Sequence, residues 1–197
     1  MKKNISGRTC VGVVIVAGVM LLASCLPVPL GDPETSKVDA KLTGVWLQTK
    51  DNGERKLIAI APADSHVYII ENVDYIKDGD ALKVIGRGTM RAWLTDVQGT
   101  RFLVCEFMEG MCDPKKAEKV YPTFKISATA DKVELSLIDE KYAAFKSVKD
   151  PAALAKAIGE HLNDAAMYNN QALTFQRLDQ EDAKNKALVD LVHGAGS

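Results

Sequence analysis

Between residues 42 and 138 short runs rich in Val, Ile, Leu and Tyr alternate with clusters of Gly, Asn, Asp and Pro. A chain punctuated this often has no room for long helices, and strands joined by tight turns fold as antiparallel neighbours. The strands expected are 42–50, 55–61, 66–76, 81–95, 100–108, 119–128 and 132–138. Asn52-Gly53 is the strongest turn signal, because a two-residue hairpin needs positive φ at its centre. The segments 62–65 and 77–80 supply further turns. Gly86 and Gly88 mark a bulge or bend in the fourth strand, and Pro122 demotes the sixth toward an edge or bulge. Val133, Leu135 and Leu137 share one face of the seventh.

The pattern changes after residue 149. Asp150 offers an N-cap oxygen and Pro151 suits the first helical position. Leu154, Ile158, Leu162 and Ala165 then recur at helical spacing, which predicts an amphipathic helix over 151–167, stopped by Asn169-Asn170. Residues 172–178 read as a last strand and 183–193 as a terminal helix that ends at Gly194. The expected fold is therefore mainly β (α+β): a small antiparallel meander or β-barrel of about eight strands, with one amphipathic helix before the last strand and a short C-terminal helix. Eight strands are enough to close. An open sheet packed on the helix is the alternative.

The chain has 197 residues, room for one domain. Residues 39–180 are assigned to it and 181–197 to a tail. Its start reads as an export signal over 1–24. Lys2, Lys3 and Arg8 precede an uncharged apolar run over 11–23. That run is shorter than the ~20 residues of a helical span and suits a cleaved signal. Leu22-Ala23-Ser24-Cys25 resembles the bacterial lipobox. The resemblance implies that Leu22, Ala23 and Ser24 are read by the signal peptidase, and that Cys25 carries a diacylglyceryl group through a thioether. It implies attachment of the mature protein to a bilayer without crossing it, because two or more acyl chains anchor stably where one does not. Leu26, not Asp, follows the cysteine; in a cell with two membranes this implies the outer membrane, on its periplasmic side. An ordinary signal peptide or an N-terminal anchor helix is the alternative. Residues 25–38, with prolines at 27, 29 and 33, read as an extended tether lifting the domain about 35 Å from the surface, or as an arm packed on it.

Charge narrows the partners. The whole chain carries 25 Lys+Arg and 26 Asp+Glu, and 47% of its residues are apolar. These values exclude a strongly basic nucleic-acid binder and an apolar-poor disordered chain. Loss of the leader leaves 22 cationic side chains against 26 anionic ones, a net charge of −4. Such a body has no electrostatic attraction to an anionic bilayer, so the lipid alone must hold it.

Gly44-Val45-Trp46 on the first strand resembles the opening Gly-x-Trp of the lipocalins and the wider calycin group. That resemblance implies a barrel whose tryptophan closes one end beneath a late arginine, for which Arg177 is the candidate through a cation–π contact. This chain departs from the lipocalin order, since its helix precedes the last strand. The simpler role for Trp46 is core packing. Cys105 and Cys112 are the thiols left after Cys25, in a compartment that permits oxidation. As facing residues of a hairpin with a short loop they lie within disulfide reach; two buried thiols are the alternative.

Little else suggests chemistry. His66, His161 and His193 show no metal spacing. The segment 74–80 lacks the oxygen ligands of a calcium loop at Ile76 and Ile85. Gly86-Arg87-Gly88 is no phosphate loop, and no nucleophile–base pattern is recognisable. The expectation is a non-enzymatic envelope lipoprotein without metal or cofactor. Its β-domain would bind an apolar small molecule or an envelope protein. Alternatively it is an accessory subunit of an envelope assembly with no ligand pocket.

Overall fold

Short turns rich in Gly, Asp and Asn leave consecutive strands no partner but each other. In the computed structural model, which describes residues 26, 28–50, 53–79, 81–108 and 120–194, they pair in sequence order all the way round. The strands are β1 (Gly44–Thr49), β2 (Arg55–Pro62), β3 (Val67–Asp78), β4 (Ala81–Val97), β5 (Thr100–Phe107), β6 (Thr123–Ala128), β7 (Lys132–Ile138) and β8 (Tyr168–Arg177). β8 pairs back onto β1, so the sheet is a closed antiparallel barrel. Closure removes both free edges of the sheet. The open-sheet alternative is thereby excluded.

Period-two alternation sorts the side chains. Trp46, Ile58, Ile60, Tyr68, Ile70, Leu94, Leu103, Phe124, Leu135 and Phe175 fill the interior. Their neighbours face outward, and they are apolar where something covers them. Val67, Trp93, Phe102 and Val104 lie beneath helix α1 (Pro151–Glu160) and the N-terminal arm. Val45, Leu57, Ala59, Val73 and Tyr75 lie beneath helix α2 (Lys186–Val192). Apolar runs in β2 and β5 therefore mark walls buried on both faces.

The antiparallel order gives the barrel two distinct ends. At the lower end lie the β2–β3, β4–β5 and β6–β7 turns. At the upper end β1, β3, β5 and β7 finish and β2, β4, β6 and β8 begin, while helix α1 between β7 and β8 reaches down the wall so that Gly159 lies against Gln98 of the β4–β5 turn. β3 and β4 pair with each other beyond the point where β5 stops, since Met90 faces Phe107 while β4 continues back to Ala81. Their register shifts once, so that Asp74 faces Gly86 and Tyr75 faces Val84. The extra residue is Ile85, beside the glycine at which a bulge was expected.

Four expectations need correction. The helix ends at Glu160 rather than at 167: His161 closes it, and Asp164 caps a separate 3₁₀ turn, Ala165–Met167, through Ala166 N–H. Asn169 and Asn170 do not stop a helix but lie in β8, which begins at Tyr168. β6 begins only at Thr123, because Pro122 has no N–H to give the ladder and serves as acceptor for Cys105 N–H (2.8 Å). Finally, the segment read as a free tether is packed from Leu26 onward. Leu26 and Leu30 are buried, and Leu26 exchanges two backbone hydrogen bonds with Tyr121 (3.2 and 2.9 Å). Pro33 does not keep the arm extended but opens a 3₁₀ turn, Pro33–Thr35, capped by the Asp32 side chain, and Leu26 and Leu30 bury apolar surface on the barrel wall. The leader, with Leu22, Ala23, Ser24 and Cys25, lies outside the described residues, as does Cys112.

Candidate functional site

At the lower end the chain crosses the barrel mouth before entering β1. A 3₁₀ turn, Ala40–Leu42, is capped by the Asp39 side chain and drops Leu42 into the interior. Gly44 then turns the chain with φ +134°, a conformation that glycine tolerates best. A Cβ there would sit 2.6 Å from Nη1 of Arg177. Gly44 is thus required twice, for its backbone and for the space it leaves. Trp46 is fully buried and donates its indole N–H to Leu42 O (2.8 Å).

Arg177, at the end of β8, closes the mouth over this tryptophan. Its guanidinium carbon stands 4.1 Å from the Trp46 ring centre. Nη1 donates to Thr43 O (2.8 Å), Nη2 to Lys41 O (2.6 Å) and Nε to Ala130 O. One planar fork therefore ties together the entry to β1, the β6–β7 turn and the tryptophan. The structure brings Trp46 and Arg177 together.

The arm above this end is fixed by polar contacts that single-residue patterns did not reveal. Ser36 is buried; its hydroxyl donates to Leu94 O (2.7 Å) and accepts from Leu94 N–H (3.0 Å). It satisfies the edge of β4 where β3 has not yet begun. Trp93 Nε1 donates to Leu30 O (3.0 Å), and His66 Nδ1 lies 2.7 Å from Ser36 O, which it can reach only as a donor. Asp39 N–H donates to the Tyr68 hydroxyl, and Arg101 pairs with the Asp39 carboxylate at 2.6 Å. The Asp39 carboxyl is held below its usual range, first by the Lys41 N–H it accepts and further by Arg101, against an opposing effect of burial. Burial pushes the Tyr68 hydroxyl up.

Going up the barrel, the interior turns polar. Lys56 and Asp74, on the inward-facing rows of β2 and β3, form an ion pair at 3.3 Å. Oε1 of Gln48 is buried without a hydrogen-bond partner in the structure. Cys105 lies fully buried in the barrel core. Its ladder neighbours are Ala92 on β4 and, through the Cys105 N–H bond, Pro122. The expected Cys105–Cys112 pairing falls on Cys112, outside the described residues.

One cluster has the residue types of an acid–base site. Tyr142 donates to Asp164 Oδ2 (2.5 Å), and its ring meets that of His161 edge-on at 5.3 Å. The bond raises the Tyr142 hydroxyl and lowers the Asp164 carboxyl. It joins the segment before α1 to the segment after it, and no depression described below includes it. His193 closes α2 at its C-terminus. Among the described residues no three His, Cys, Asp or Glu side chains are grouped to hold a metal, and no helix is long and apolar enough to cross a membrane.

Two surface depressions stand out. One of about 560 Å³ lies between the arm and the lower wall, lined by Asp32, Thr35, Lys37, Thr95 and Arg101 among others. One of about 210 Å³ lies where Glu71 and Arg87 meet His193. Both are on the outside of the barrel. In comparisons with protein-family models, curated proteins and solved structures, nothing matches this chain.

Proposed function

We propose that this chain is a lipoprotein of a bacterial envelope, anchored through Cys25, whose barrel is non-catalytic and serves as an accessory subunit of an envelope assembly through its outer surface. The observation that carries the second half is the packed interior. Trp46, Tyr68, Phe124 and Phe175 occupy the volume in which a ligand-carrying barrel would hold its cargo. Leu42, with the Trp46–Arg177 pair, caps the lower mouth. A filled barrel is a rigid platform, and what differs from one such platform to another is the surface. The leader supports the first half: a positively charged start, a short apolar run and a lipobox ending in a cysteine.

Native mass spectrometry of the full-length protein, expressed in bacteria and extracted in detergent, tests both halves. The expected species begins at Cys25, carries two or three acyl chains, and has no stoichiometric small molecule bound. Co-purification of one apolar ligand per barrel would replace the accessory reading by a carrier. Cys25→Ala is expected to abolish incorporation of labelled fatty acid. Undiminished labelling in that variant would refute the anchor.

A further inference from the structure

We propose that the depression between the arm and the lower wall is a docking groove for a short extended segment of a partner protein, one that carries a lysine or arginine and pairs with the open edge of β4. This rests on the accessory-subunit reading and names the part of the outer surface that engages the partner. β4 runs further toward the lower end than β3 does. Trp93 is its last residue with a partner on β3, namely Val67, while the ladder with β5 continues to Val97 and Thr100. The stretch after Trp93 therefore has a bare edge on the side away from β5. Backbone groups alternate between the two sides of a strand. Leu94 points its N–H and C=O to the bare side, where the Ser36 hydroxyl bonds both. Asp96, two residues on, points its N–H and C=O the same way. Among the described residues no backbone group pairs with either. Asp96 lines the depression.

The other side of the groove is the arm, and it is fixed. Trp93 Nε1 donates to Leu30 O (3.0 Å) and Val38 N–H to Ser65 O (3.2 Å). Gly31 passes so near β4 that a Cβ would lie 2.4 Å from Thr95 Oγ1. Yet among the described residues the arm makes no backbone–backbone hydrogen bond to β4; Ser36 bridges to it with a side chain. The slot is preformed, which spares a ligand the cost of ordering it. Its volume of about 560 Å³ is that of a ligand site. A lining of Asp32, Thr35, Lys37, Asp96 and Arg101 suits main chain and charge rather than an apolar molecule. A strand added to an open edge is held by its backbone and selected by its alternate side chains.

Charge selects the side chain. Arg101 is already matched by the Asp39 carboxylate at 2.6 Å. Asp32 and Asp96 each accept one backbone N–H, from Glu34 (2.9 Å) and Gly99 (2.7 Å), and neither forms an ion pair with a described residue. Against these two carboxylates Lys37 is the one further cation of the lining. A residue paired directly with Asp96 in an antiparallel ladder lies on the same face as the Asp96 side chain. A lysine or arginine there places its cation beside a carboxylate that has no counter-ion.

The test uses the full-length protein in detergent, labelled with ¹⁵N, and follows its amide resonances by NMR. The probe is a capped five-residue peptide of threonine and valine around a central lysine. Saturable shifts are expected for the Asp96 amide and for amides of residues 32–40, with those of the β3–β4 hairpin unmoved. A central glutamate should weaken binding about three- to tenfold. N-methylation along the peptide edge that carries the lysine N–H should weaken it about tenfold or more. Asp96→Asn keeps an acceptor for Gly99 N–H and should lose most of the preference for lysine over glutamate. No saturable shift up to about 10 mM peptide, equal binding of the N-methylated peptide, or equal binding of the glutamate peptide each overturns the proposal. Broadening of the same amides that grows with protein concentration, without peptide, would put a second copy in the groove and overturn the assignment to a partner. Any of these leaves the envelope anchor standing, since that is decided by the acyl mass; a mass without acyl chains refutes the anchor and leaves the peptide shifts untouched.

Discussion

Arg177→Met tests the closure of the lower mouth most directly. The seam between β8 and β1 is short: the ladder pairs Trp46 with Arg177 and Leu47 with Gln176, and Leu178 N–H adds a bond to Val45 O (2.8 Å). Arg177 supplements it with three hydrogen bonds to backbone carbonyls and a cation stacked on Trp46. The side chain is partly exposed, so each bond is valued near the low end, about 0.5–1 kcal/mol. The cation–π contact adds about 1 kcal/mol. Arg177→Met is then expected to destabilise the domain by about 2–4 kcal/mol. In urea denaturation followed by tryptophan fluorescence, a slope of about 2 kcal/mol per M converts this into a midpoint lower by about 1–2 M. Arg177→Lys keeps the charge but loses the fork, and should recover less than half of the loss. Gly44→Ala is expected to destabilise by driving a Cβ into the same guanidinium. Because both act on one contact, the double variant should lose clearly less than the sum of the singles. A midpoint for Arg177→Met within about 0.3 M of wild type would refute the reasoning, as would full rescue by lysine.

The other predictions concern the arm and the helix. Ser36→Ala leaves Leu94 N–H and C=O unpaired at a buried edge and should cost about 1–3 kcal/mol in the same denaturation assay. Asp150→Ala removes the cap on Ala153 N–H (2.8 Å) and should cost about 1 kcal/mol; an unchanged midpoint would argue against the cap. Asp39 has a folded-state pKa below its ordinary value, so its contribution is present above the usual carboxylate range and is lost as pH falls through the folded value. Asp39→Asn should accordingly show less acid destabilisation than wild type, read from denaturation midpoints over a pH series descending to about 2. Equal slopes for the two proteins would exclude that role.

Much of the barrel was legible because it is made of local decisions. Gly53, Gly79 and Gly99 each adopt positive φ at a β-turn between neighbouring strands, and a chain so turned can only pair its strands in sequence order. Asp150 and Pro151 announce a helix start wherever they stand before an apolar period, and the structure uses both. The helix end was not legible. Leu162 and Ala165 continue the apolar spacing, but Asp164 starts a new turn with its own side chain, and Tyr168 OH holds Leu162 O (3.1 Å). The arm was misread for a related reason. Proline content reports that a segment is extended, whereas packing depends on whether a complementary surface lies alongside. That surface is made by Trp93, Tyr121 and Leu94, residues some 60 to 95 positions away.

By itself the sequence determined strand order, turn positions and the one glycine beside a tryptophan that the lower mouth requires, because backbone conformation and side-chain periodicity are set by near neighbours. It also carried Leu22-Ala23-Ser24-Cys25, a linear string that resembles a lipobox. The tertiary structure decided between a closed barrel and an open sheet, filled the lower interior with Trp46, Tyr68, Phe124 and Phe175, brought Arg177 over Trp46 as the lipocalin resemblance implied, and laid residues 28–37 along the wall. Each of these depends on surfaces meeting across long separations in the chain, and residue spacing does not encode which apolar surface will find which.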